Sequence, residues 1–407
     1  RIFRRGGVPP VREPLSKRRR DMRVALLSRA VFPLHGYGGL ERHVAALEKY
    51  LRLEGCEVTL YTAPPASGLP EAREGTRFVP YRVIPWPRRK GFTVLDRDTN
   101  YLVWSVRAAR RLLSEERADI VQADGGAGFG YALLAGAKSK PLVLHPHGME
   151  EFGAPFPKRA MYLPLRAATR FAARRAARVL APDASMTDDV LRNLGVDESK
   201  VALVPNAIDL SLVDRKIPEA DLGIPREARV LLSVGRLESN KGFSHLVKAL
   251  SRIPEDFLWL LAGEGPERRN LEAEIEREGL RERARFLGRV SDDELHALYE
   301  RCELFVHPTL YEGSSMVTLE AMAHRKAVVA TRVGGIRDKI VDGENGLLVA
   351  PGDVDALARA VVEALSRDDR LRSWGTKSRA LVESRFSWSR RVKELMSLYG
   401  EILRTSP

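Results

Sequence analysis

The sequence predicts an α/β fold with two domains, each a parallel, doubly wound sheet covered by helices. Three observations lead to this prediction. First, 407 residues with 44% apolar composition are too many for one ordinary hydrophobic core. Second, short apolar runs of strand length alternate with amphipathic stretches of helical period. Third, glycine-rich turns connect several of these runs to the stretches that follow, as expected where strands and helices alternate around a parallel sheet.

The first half opens with a buried strand at residues 23–28 (RVALLS), followed by a glycine-rich loop. A helix comes next, with Leu40, Val44, Leu47 and Leu51 on one face. Further strands are predicted at 57–62, 77–84 (RFVPYRVI), 118–124 (ADIVQAD), 141–145 (PLVLH), 178–182 (RVLAP) and 201–204. Further helices are predicted at 101–116 and 158–178.

The loop after the first strand contains Gly38 and Gly39, and such a turn lets backbone approach a phosphate or a sugar closely. It lacks the dinucleotide fingerprint, because Glu41 stands at the third glycine position. The strand at 57–62 also ends without an acidic residue for an adenosine ribose. These absences argue against an NAD-linked oxidoreductase. A plain tight turn remains the alternative for the two glycines.

The second half begins after a polar linker at 214–226. Its strands are predicted at 229–235 (RVLLSVG), in LWLLAGEGPE, at 304–306 and at 327–330. The final segment, 386–403, has Trp388, Val392, Leu395 and Leu398 in helical rhythm.

Residues 304–335 form a strand, loop, helix and strand, and in such units ligands bind at the carboxyl ends of the strands. The backbone N–H groups at the helix start and the positive end of its dipole favour an anion, most naturally a phosphate. The residues at this start are Gly313, Ser314, Ser315 and Met316.

Two glutamates bracket this helix start. Glu320 lies about 7.5 Å further along the helix axis, where a carboxylate suits the paired hydroxyls of a ribose. Glu312 lies on the other side of the phosphates and suits the hydroxyls of a second ring. The sequence therefore predicts a ligand with nucleoside, diphosphate and sugar in line.

Three ordered motifs resemble the retaining family-four glycosyltransferases with the GT-B fold. They are SVGRLESNKGFSHLVKAL, EGSSMVTLEAMA, and VVATRVGG with DGENGLLVAPGD. The resemblance extends from about residue 22 to the C-terminus and implies two Rossmann-like domains facing each other across a cleft. It divides the chain into an acceptor-side domain at 22–207 and a donor domain at 208–386. The helix within 387–407 is expected to cross back onto the first domain.

The resemblance also implies roles for individual residues. It places Arg236 and Lys241 on the donor diphosphate, where two cations neutralise the charge that grows on the leaving group. It places His147 against the sugar near the reacting carbon, although a histidine serving only the loop is the alternative. The loop with Gly38 and Gly39 is expected to face the donor, and backbone near Val290 to meet the base. His147, Glu312, Arg236 and Lys241 are thus the predicted catalytic residues.

The predicted reaction transfers a sugar from a nucleotide-diphosphate sugar to an acceptor hydroxyl, with retention as the resemblance implies. No cofactor and no metal are predicted, because the two cations and the helix start already serve the diphosphate. Three classes of acceptor fit the sequence equally: a glycan, a lipid-linked molecule and a small molecule. The alternatives are a nucleotide-sugar epimerase or hydrolase, and a noncatalytic protein that binds sugar nucleotides.

The net charge of +13 lies entirely in the first half, where residues 1–220 hold 37 Lys/Arg and 24 Asp/Glu. Residues 1–21 include eight of these basic residues and are predicted to be a disordered tail. In the helix at 158–178, Arg166, Arg170 and Arg174 recur every four residues, and the face is either solvated or meets anionic lipid head groups. Aromatic residues do not interleave with these arginines, so nucleic acid is not a predicted partner.

No apolar run approaches the length of a membrane span, and no signal segment opens the chain. We therefore expect a cytoplasmic protein, with peripheral contact to the inner face of the membrane as a second interpretation. Cys56 and Cys302 match no metal spacing and are expected to be buried free thiols of a reducing compartment.

Overall fold

A computed structural model of the chain describes residues 22–36, 38–65, 74–80, 93–115, 117–136, 139–153, 156, 158–216 and 223–405. The tail predicted at 1–21 lies outside the described residues, and so do residues 81–84 of the strand predicted at 77–84. Among the described residues, no helix combines the length and apolarity needed to cross a bilayer.

Each half of the chain contributes one parallel sheet. The first has the order β3-β2-β1-β4-β5-β6-β7. Its strands are β1 (Arg23–Leu27), β2 (Glu57–Thr62), β3 (Thr76–Phe78), β4 (Ile120–Asp124), β5 (Leu142–His145), β6 (Arg178–Ala181) and β7 (Val201–Leu203). The second has the order β10-β9-β8-β11-β12-β13. Its strands are β8 (Val230–Val234), β9 (Leu258–Ala262), β10 (Ala284–Gly288), β11 (Leu304–His307), β12 (Ala327–Thr331) and β13 (Gly346–Val349).

Helices connect successive strands and cover both sheets. In the first half they are α1 (Gly39–Leu53), α2 (Thr93–Glu115), α3 (Gly128–Leu134), α4 (Glu150–Gly153), α5 (Lys158–Met161), α6 (Leu163–Arg175) and α7 (Thr187–Leu194), and α8 (Leu210–Val213) follows between the sheets. In the second half they are α9 (Phe243–Leu250), α10 (Arg268–Arg277), α11 (Asp292–Arg301), α12 (Met316–Ala323), α13 (Val354–Leu365), α14 (Asp368–Arg385) and α15 (Trp388–Thr405). The α/β fold and the parallel sheets predicted from the sequence are thus confirmed.

The central strands are buried on both faces, which explains why their sequences are continuous apolar runs. In β4, β5, β11 and β12 every residue is buried. In both sheets the strand order reverses beside the first strand in the chain, between β1 and β4 in one sheet and between β8 and β11 in the other. In sheets of this type, the reversal creates a crevice at the carboxyl ends of the strands where ligands bind.

The C-terminal helix α15 packs against the first sheet although it follows the second in the chain. Its residues Trp388, Val392, Leu395 and Tyr399 belong to the same buried cluster as the apolar face of α1. At the crossing, Ile208 N donates to the carbonyl of residue 386 at 2.7 Å, and residue 388 N donates to Ile208 O at 3.2 Å. The chain therefore passes between the halves twice, side by side.

Three predicted boundaries were wrong. The strand predicted at 77–84 occupies Thr76–Phe78 in the described residues and stops before Pro80, which has no N–H to continue a ladder. The helix predicted at 101–116 already begins at Thr93, because residues 96–100 (DRDTN) are polar and interrupt the apolar period. The helix predicted at 158–178 is divided into α5 and α6, with Pro164 in the first turn of α6.

Both cysteines are buried free thiols, as predicted. Burial raises the pKa of the Cys56 thiol to about 11 and that of Cys302 to about 12. Neither thiol ionises near neutral pH, so neither is a reactive nucleophile.

Candidate active site

The loops at the carboxyl ends of the two sheets face each other and touch. Gly39, at the start of α1, lies against Met316 of the second half, since a Cβ on Gly39 would be 3.4 Å from the Met316 Cγ. The loop after β5 meets the loop after β11 even more closely, because a Cβ on Gly313 would be 2.6 Å from the Gly148 Cα. Glycine at these positions lets the two backbones approach. Gly39, Gly313 and Met316 therefore lie where the loops of the two halves meet.

Lys241, Glu312 and His307 form a hydrogen-bonded cluster where the loop after β8 meets the end of β11. The Lys241 Nζ lies 2.7 Å from the Glu312 Oε2, and both side chains are only 15% exposed. The same oxygen lies 3.2 Å from the His307 Nε2. Burial alone would raise the pKa of Glu312, but the hydrogen bond with His307 and the charge of Lys241 outweigh it and hold the pKa at about 2. Glu312 is therefore an anion throughout the physiological pH range.

The backbone around Lys241 is fixed by contacts with the loop after β11. Gly242 has φ +69°, and a Cβ there would lie 2.1 Å from the Pro308 carbonyl oxygen. Leu310 N donates to Asn240 O at 2.7 Å, and the Thr309 hydroxyl donates to the same oxygen at 3.1 Å. These bonds hold the ammonium of Lys241 beside Glu312.

The predicted anion site, which we call the donor loop (residues 312–316), has the expected helix start. Ser315 is the N-cap of α12, and its hydroxyl accepts from Thr318 N at 3.3 Å and from the Thr318 hydroxyl at 2.8 Å. The glycine pair after β12 supports the loop from behind, because the N–H of Gly335 donates to the Gly313 carbonyl at 2.7 Å. The Thr318 N–H is thus capped by Ser315, whereas the N–H groups that precede it in the first turn of α12 have no carbonyl partner within the helix and can bind an anion.

Glu320 lies one turn and a half into α12 and faces a cavity between the halves. The Tyr299 hydroxyl donates to its Oε2 at 2.9 Å. Burial raises the pKa of Glu320, and the nearby Arg42 of α1 partly opposes this. Arg42 itself pairs with Asp292, so α1 is tied to the donor side of the crevice.

The cavity beside Glu320 has a volume of about 440 Å³. Its walls come from α1, from the segment between the sheets, and from α11, α12 and Trp388 of α15. Among the residues lining it are Phe32, Arg42, Asp209, Leu212, Asp292, Leu295, Tyr299 and Met316. Cavities of 300 to 1,000 Å³ hold small ligands, so this one can take a nucleoside.

Two predicted donor residues lie at the margins of this arrangement. The Arg236 side chain is 62% exposed, and its guanidinium pairs with Glu238 at 2.7 Å. A phosphate would have to replace Glu238 as the partner of Arg236, so the role of Arg236 on the diphosphate stays a prediction. Val290 is half-buried and packs in the same apolar cluster as Met316, two residues before the cavity-lining Asp292.

His147 lies in the loop after β5 with φ +55°, a left-handed conformation that is uncommon for a residue other than glycine. Its Nε2 lies 2.8 Å from the Asp124 Oδ1 at the end of β4. Burial opposes ionisation of Asp124, but the interaction with His147 outweighs it and lowers the pKa of Asp124. His147 is thus held by a buried carboxylate at the crevice, next to Gly148 and its contact with the donor loop.

Two further histidines surround His147. The rings of His145 and His147 are 3.9 Å apart, which agrees with the structural role expected for His145, and His43 of α1 is 5.1 Å from His147. Burial, together with the charge of His147, lowers the pKa of His43 to about 3 and that of His145 well below its ordinary value. Both rings are therefore neutral at physiological pH. Sequence reasoning missed Asp124 and His43, although Asp124 ends the predicted strand ADIVQAD.

Two groups of side chains in the described part of the chain have ligand atoms close enough for a metal ion. One is Asp124 with His145 and His147, and the other is His296 with Glu300 and His324. Neither group includes Glu312 or any other donor-loop residue.

The arginine side chains predicted to form one face of the helix at 158–178 do not all project into solvent. Arg166 and Arg170 are half-buried, and each guanidinium lies over the ring of Phe152, at 5.1 and 5.3 Å. Arg170 also donates to Asn193 O at 2.6 Å, whereas Arg174 is exposed. Two of the three arginines therefore pack against the protein.

Comparison with known proteins gives matches over both halves of the chain. Residues 37–212 match the family model described as glycosyltransferase family 4, and residues 214–381 match that of glycosyl transferases group 1. The alpha-maltose-1-phosphate synthase of Mycolicibacterium smegmatis is 30% identical, over 94% of this chain and all of that protein. The 2-deoxystreptamine N-acetyl-D-glucosaminyltransferase of Streptomyces fradiae is also 30% identical, over 82% of this chain and 84% of that protein.

Solved structures share the fold. Sucrose-phosphate synthase from Thermosynechococcus elongatus superposes with a TM-score of 0.78 at 23% identity, covering 95% of this chain and all of that one. The Anabaena protein HepE in complex with UDP gives a TM-score of 0.72 at 19% identity, over 93% of this chain and all of that one.

Proposed function

The chain belongs to the family-four glycosyltransferases with the GT-B fold, and on that premise we propose how it transfers a sugar from its nucleotide-sugar donor. The sugar passes to an acceptor hydroxyl with retention of anomeric configuration and without a metal ion. The observation that carries the proposal is the cluster of Lys241, Glu312 and His307 at the donor loop, which touches the His147 loop through Gly148.

The donor fits the crevice in the order predicted from the sequence. Its nucleoside enters the cavity beside Glu320, whose carboxylate accepts hydrogen bonds from the ribose hydroxyls. Its diphosphate lies on the donor loop at the start of α12. The sugar then lies between Glu312 and His147, whose loops are in contact.

Departure of the nucleoside diphosphate is the step that these residues assist most directly. Negative charge grows on the leaving phosphate, and the ammonium of Lys241 and the N–H groups of the donor loop are fixed before it develops. The low pKa of Glu312 keeps its carboxylate ionised, so the ion pair with Lys241 is in place before the phosphate leaves. Glu312 remains free to accept from sugar hydroxyls through its second oxygen.

Metal independence is supported by the fixed ammonium of Lys241 and the N–H groups of the donor loop, because they supply the positive charge that a divalent ion would otherwise supply. The test is turnover after exhaustive treatment with EDTA, followed by addition of Mg²⁺ or Mn²⁺. We expect a rate within about twofold of the untreated enzyme, and a tenfold loss restored by either ion would overturn this part of the proposal.

Retention is tested by the anomeric configuration of the glycoside product, which proton NMR reads from the coupling of its anomeric proton. An inverting reaction needs a base on the face opposite the leaving group. The pair of Asp124 and His147 is the candidate for such a base in the described residues. An inverted product would therefore refute retention and assign that pair the role of general base.

The acceptor enters from the first half of the chain, beside His147. Incubating the donor with and without acceptor mixtures separates transfer from the alternatives of epimerisation and hydrolysis. Release of free sugar at the same rate in both cases would favour a hydrolase. A protein that binds the donor but converts nothing would favour the noncatalytic alternative.

Contact with a membrane surface has separate support from exposed side chains just before α5, in α5 and at the start of α6. Phe156 is 84% exposed and Leu163 is 58% exposed, and the exposed Arg159 lies between them in sequence. Apolar and basic side chains in this arrangement suit the interface of an anionic bilayer. Sedimentation with phosphatidylglycerol vesicles should retain the protein, and phosphatidylcholine vesicles should not. Equal binding to both, or to neither, would contradict this contact.

A further inference from the structure

Asp183 and Lys339 form a fully buried ion pair across the crevice. The Lys339 Nζ lies 2.9 Å from the Asp183 Oδ1, and both side chains are 0% exposed. Asp183 follows β6 of the first sheet, whereas Lys339 lies between β12 and β13 of the second. The pair therefore exists only while the two halves are in contact.

The same ammonium also joins two segments of the second half. It donates to the Ser314 hydroxyl at 3.1 Å and to the Gly335 carbonyl at 3.0 Å. With Asp183, these acceptors use all three N–H groups of the lysine. Ser314 is part of the donor loop, so Lys339 connects that loop directly to the first half of the chain.

The surrounding backbone shows that this contact is tightly fitted. A Cβ on Gly335 would lie 1.9 Å from the Asp183 Oδ2, so only glycine leaves room for the carboxylate. Next to the pair, Ser185 N donates to the Asp338 Oδ2 at 2.8 Å, and the Ser185 hydroxyl donates to Gly334 O at 2.8 Å. The turn that carries Lys339 is thus bonded to the first half on one side and to the donor loop on the other.

The energy of this pair depends on whether the crevice is closed. When the halves separate, both charged groups are hydrated, and water stabilises each of them without the other. When the halves close, each charge leaves water and depends on the other, because a buried charge without its partner is strongly unfavourable. Removing one member therefore penalises the closed state while leaving the open state nearly unchanged.

We propose that Lys339 is a positioning residue that orders Ser314 in the donor loop, and that its pair with Asp183 couples this ordering to closure of the two domains. The part that concerns donor binding rests on the proposed function. The part that concerns closure does not, because it follows from the contacts of the protein alone.

The closure part is tested by small-angle X-ray scattering on Asp183→Asn, Lys339→Met and the double variant, without ligand. Each single variant should have a larger radius of gyration than the wild type, and the double variant should return to the wild-type value. The matched control is Ser185→Ala, which removes a neutral hydrogen bond from the same interface and should stay compact. Single variants as compact as the wild type would overturn the coupling.

The donor part is tested by calorimetry with UDP, ADP and GDP, using the one that binds wild type most tightly. Asp183→Asn should leave the Kd of that nucleotide within about threefold, because Lys339 keeps its bond with Ser314 and an asparagine side chain can still accept from the Ser314 hydroxyl that Asp183 contacts. Lys339→Met should weaken binding about tenfold, because Ser314 loses its partner and the loop loses a nearby cation. Equal Kd values in both variants would refute the positioning role of Lys339.

Turnover should show the same coupling. Each single variant should lower kcat/KM at least about tenfold, and the double variant should lose less than the product of the two single losses. Losses that multiply independently would overturn the proposal. A single variant that fails to fold while the double variant folds would also overturn it, because the pair would then serve folding rather than closure. If wild type itself shows no transfer, the proposed function fails, and the scattering result still decides the closure part.

Discussion

The substitution Lys241→Met removes the cation that lies 2.7 Å from Glu312, and its cost can be worked out from the structure. The pKa of Glu312 falls from an ordinary 4.5 to about 2 despite burial. That difference corresponds to a net of about 3 kcal/mol in favour of the carboxylate, because the hydrogen bond with His307 and the charge of Lys241 together outweigh burial. Without Lys241, burial is opposed mainly by His307, so the pKa of Glu312 should rise toward or beyond its ordinary range.

Two kinetic consequences follow for the Lys241→Met enzyme. Loss of a fixed cation at the leaving diphosphate should lower kcat about 100-fold, the size expected when one preorganised group is removed from a developing charge. The pH profile should also change. Glu312 stays ionised in the wild type above about pH 4, whereas the variant should lose activity as pH falls through the raised pKa of Glu312.

The assay is steady-state transfer from the nucleotide sugar between pH 4.5 and 9. The matched control is Lys248→Met, which removes the same charge from an exposed position of α9 and should behave as the wild type. If Lys241→Met kept kcat within about threefold of the wild type, the assignment of Lys241 to the leaving group would be wrong. An unchanged acid limb would refute the coupling between Lys241 and Glu312.

Three other predictions concern the nucleoside cavity, the His147 loop and acid stability. Glu320→Ala should weaken nucleoside diphosphate binding in calorimetry at least tenfold, because the ribose loses its acceptor, while Tyr299→Phe should weaken it much less. Asp124→Asn should lower kcat at least tenfold with an unchanged nucleoside diphosphate Kd, because His147 loses the carboxylate that orients it. His43 has a pKa of about 3 when folded and an ordinary 6.5 when unfolded, so the unfolded chain binds the proton first. The free energy of unfolding should therefore fall by about 1 kcal/mol per pH unit below 6.5 on account of this residue, and His43→Phe should flatten that slope in urea titrations.

Each of these expectations has a clear contrary result. Normal nucleotide affinity in Glu320→Ala would show that the nucleoside does not bind in the cavity beside Glu320. A larger Kd for the nucleoside diphosphate in Asp124→Asn would show that His147 contacts the nucleotide rather than the sugar. An identical pH slope in His43→Phe would show that His43 is not held neutral by burial.

The sequence by itself determined the elements and the composition of the donor loop. Apolar runs in β11 and β12 are buried because both faces of a central parallel strand are covered, and that requirement is visible in the residues themselves. The helix start at Ser315 was also predictable, since capping depends on a serine and its near neighbours. Boundaries were less predictable where polar turns began a helix, as at Thr93.

Only the tertiary structure decided which side chains meet. Lys241 and Glu312 are 71 positions apart, Asp124 and His147 are 23 apart, and Asp183 and Lys339 are 156 apart. Their contacts depend on strand order and on closure of two separate sheets, and neither property leaves a local pattern in the sequence. For the same reason the sequence identified Arg236 as a candidate cation, but it did not predict that the guanidinium would pair with Glu238. Local composition specifies what a segment can become, whereas the energy of a buried charge is set by the partner that the whole fold brings to it.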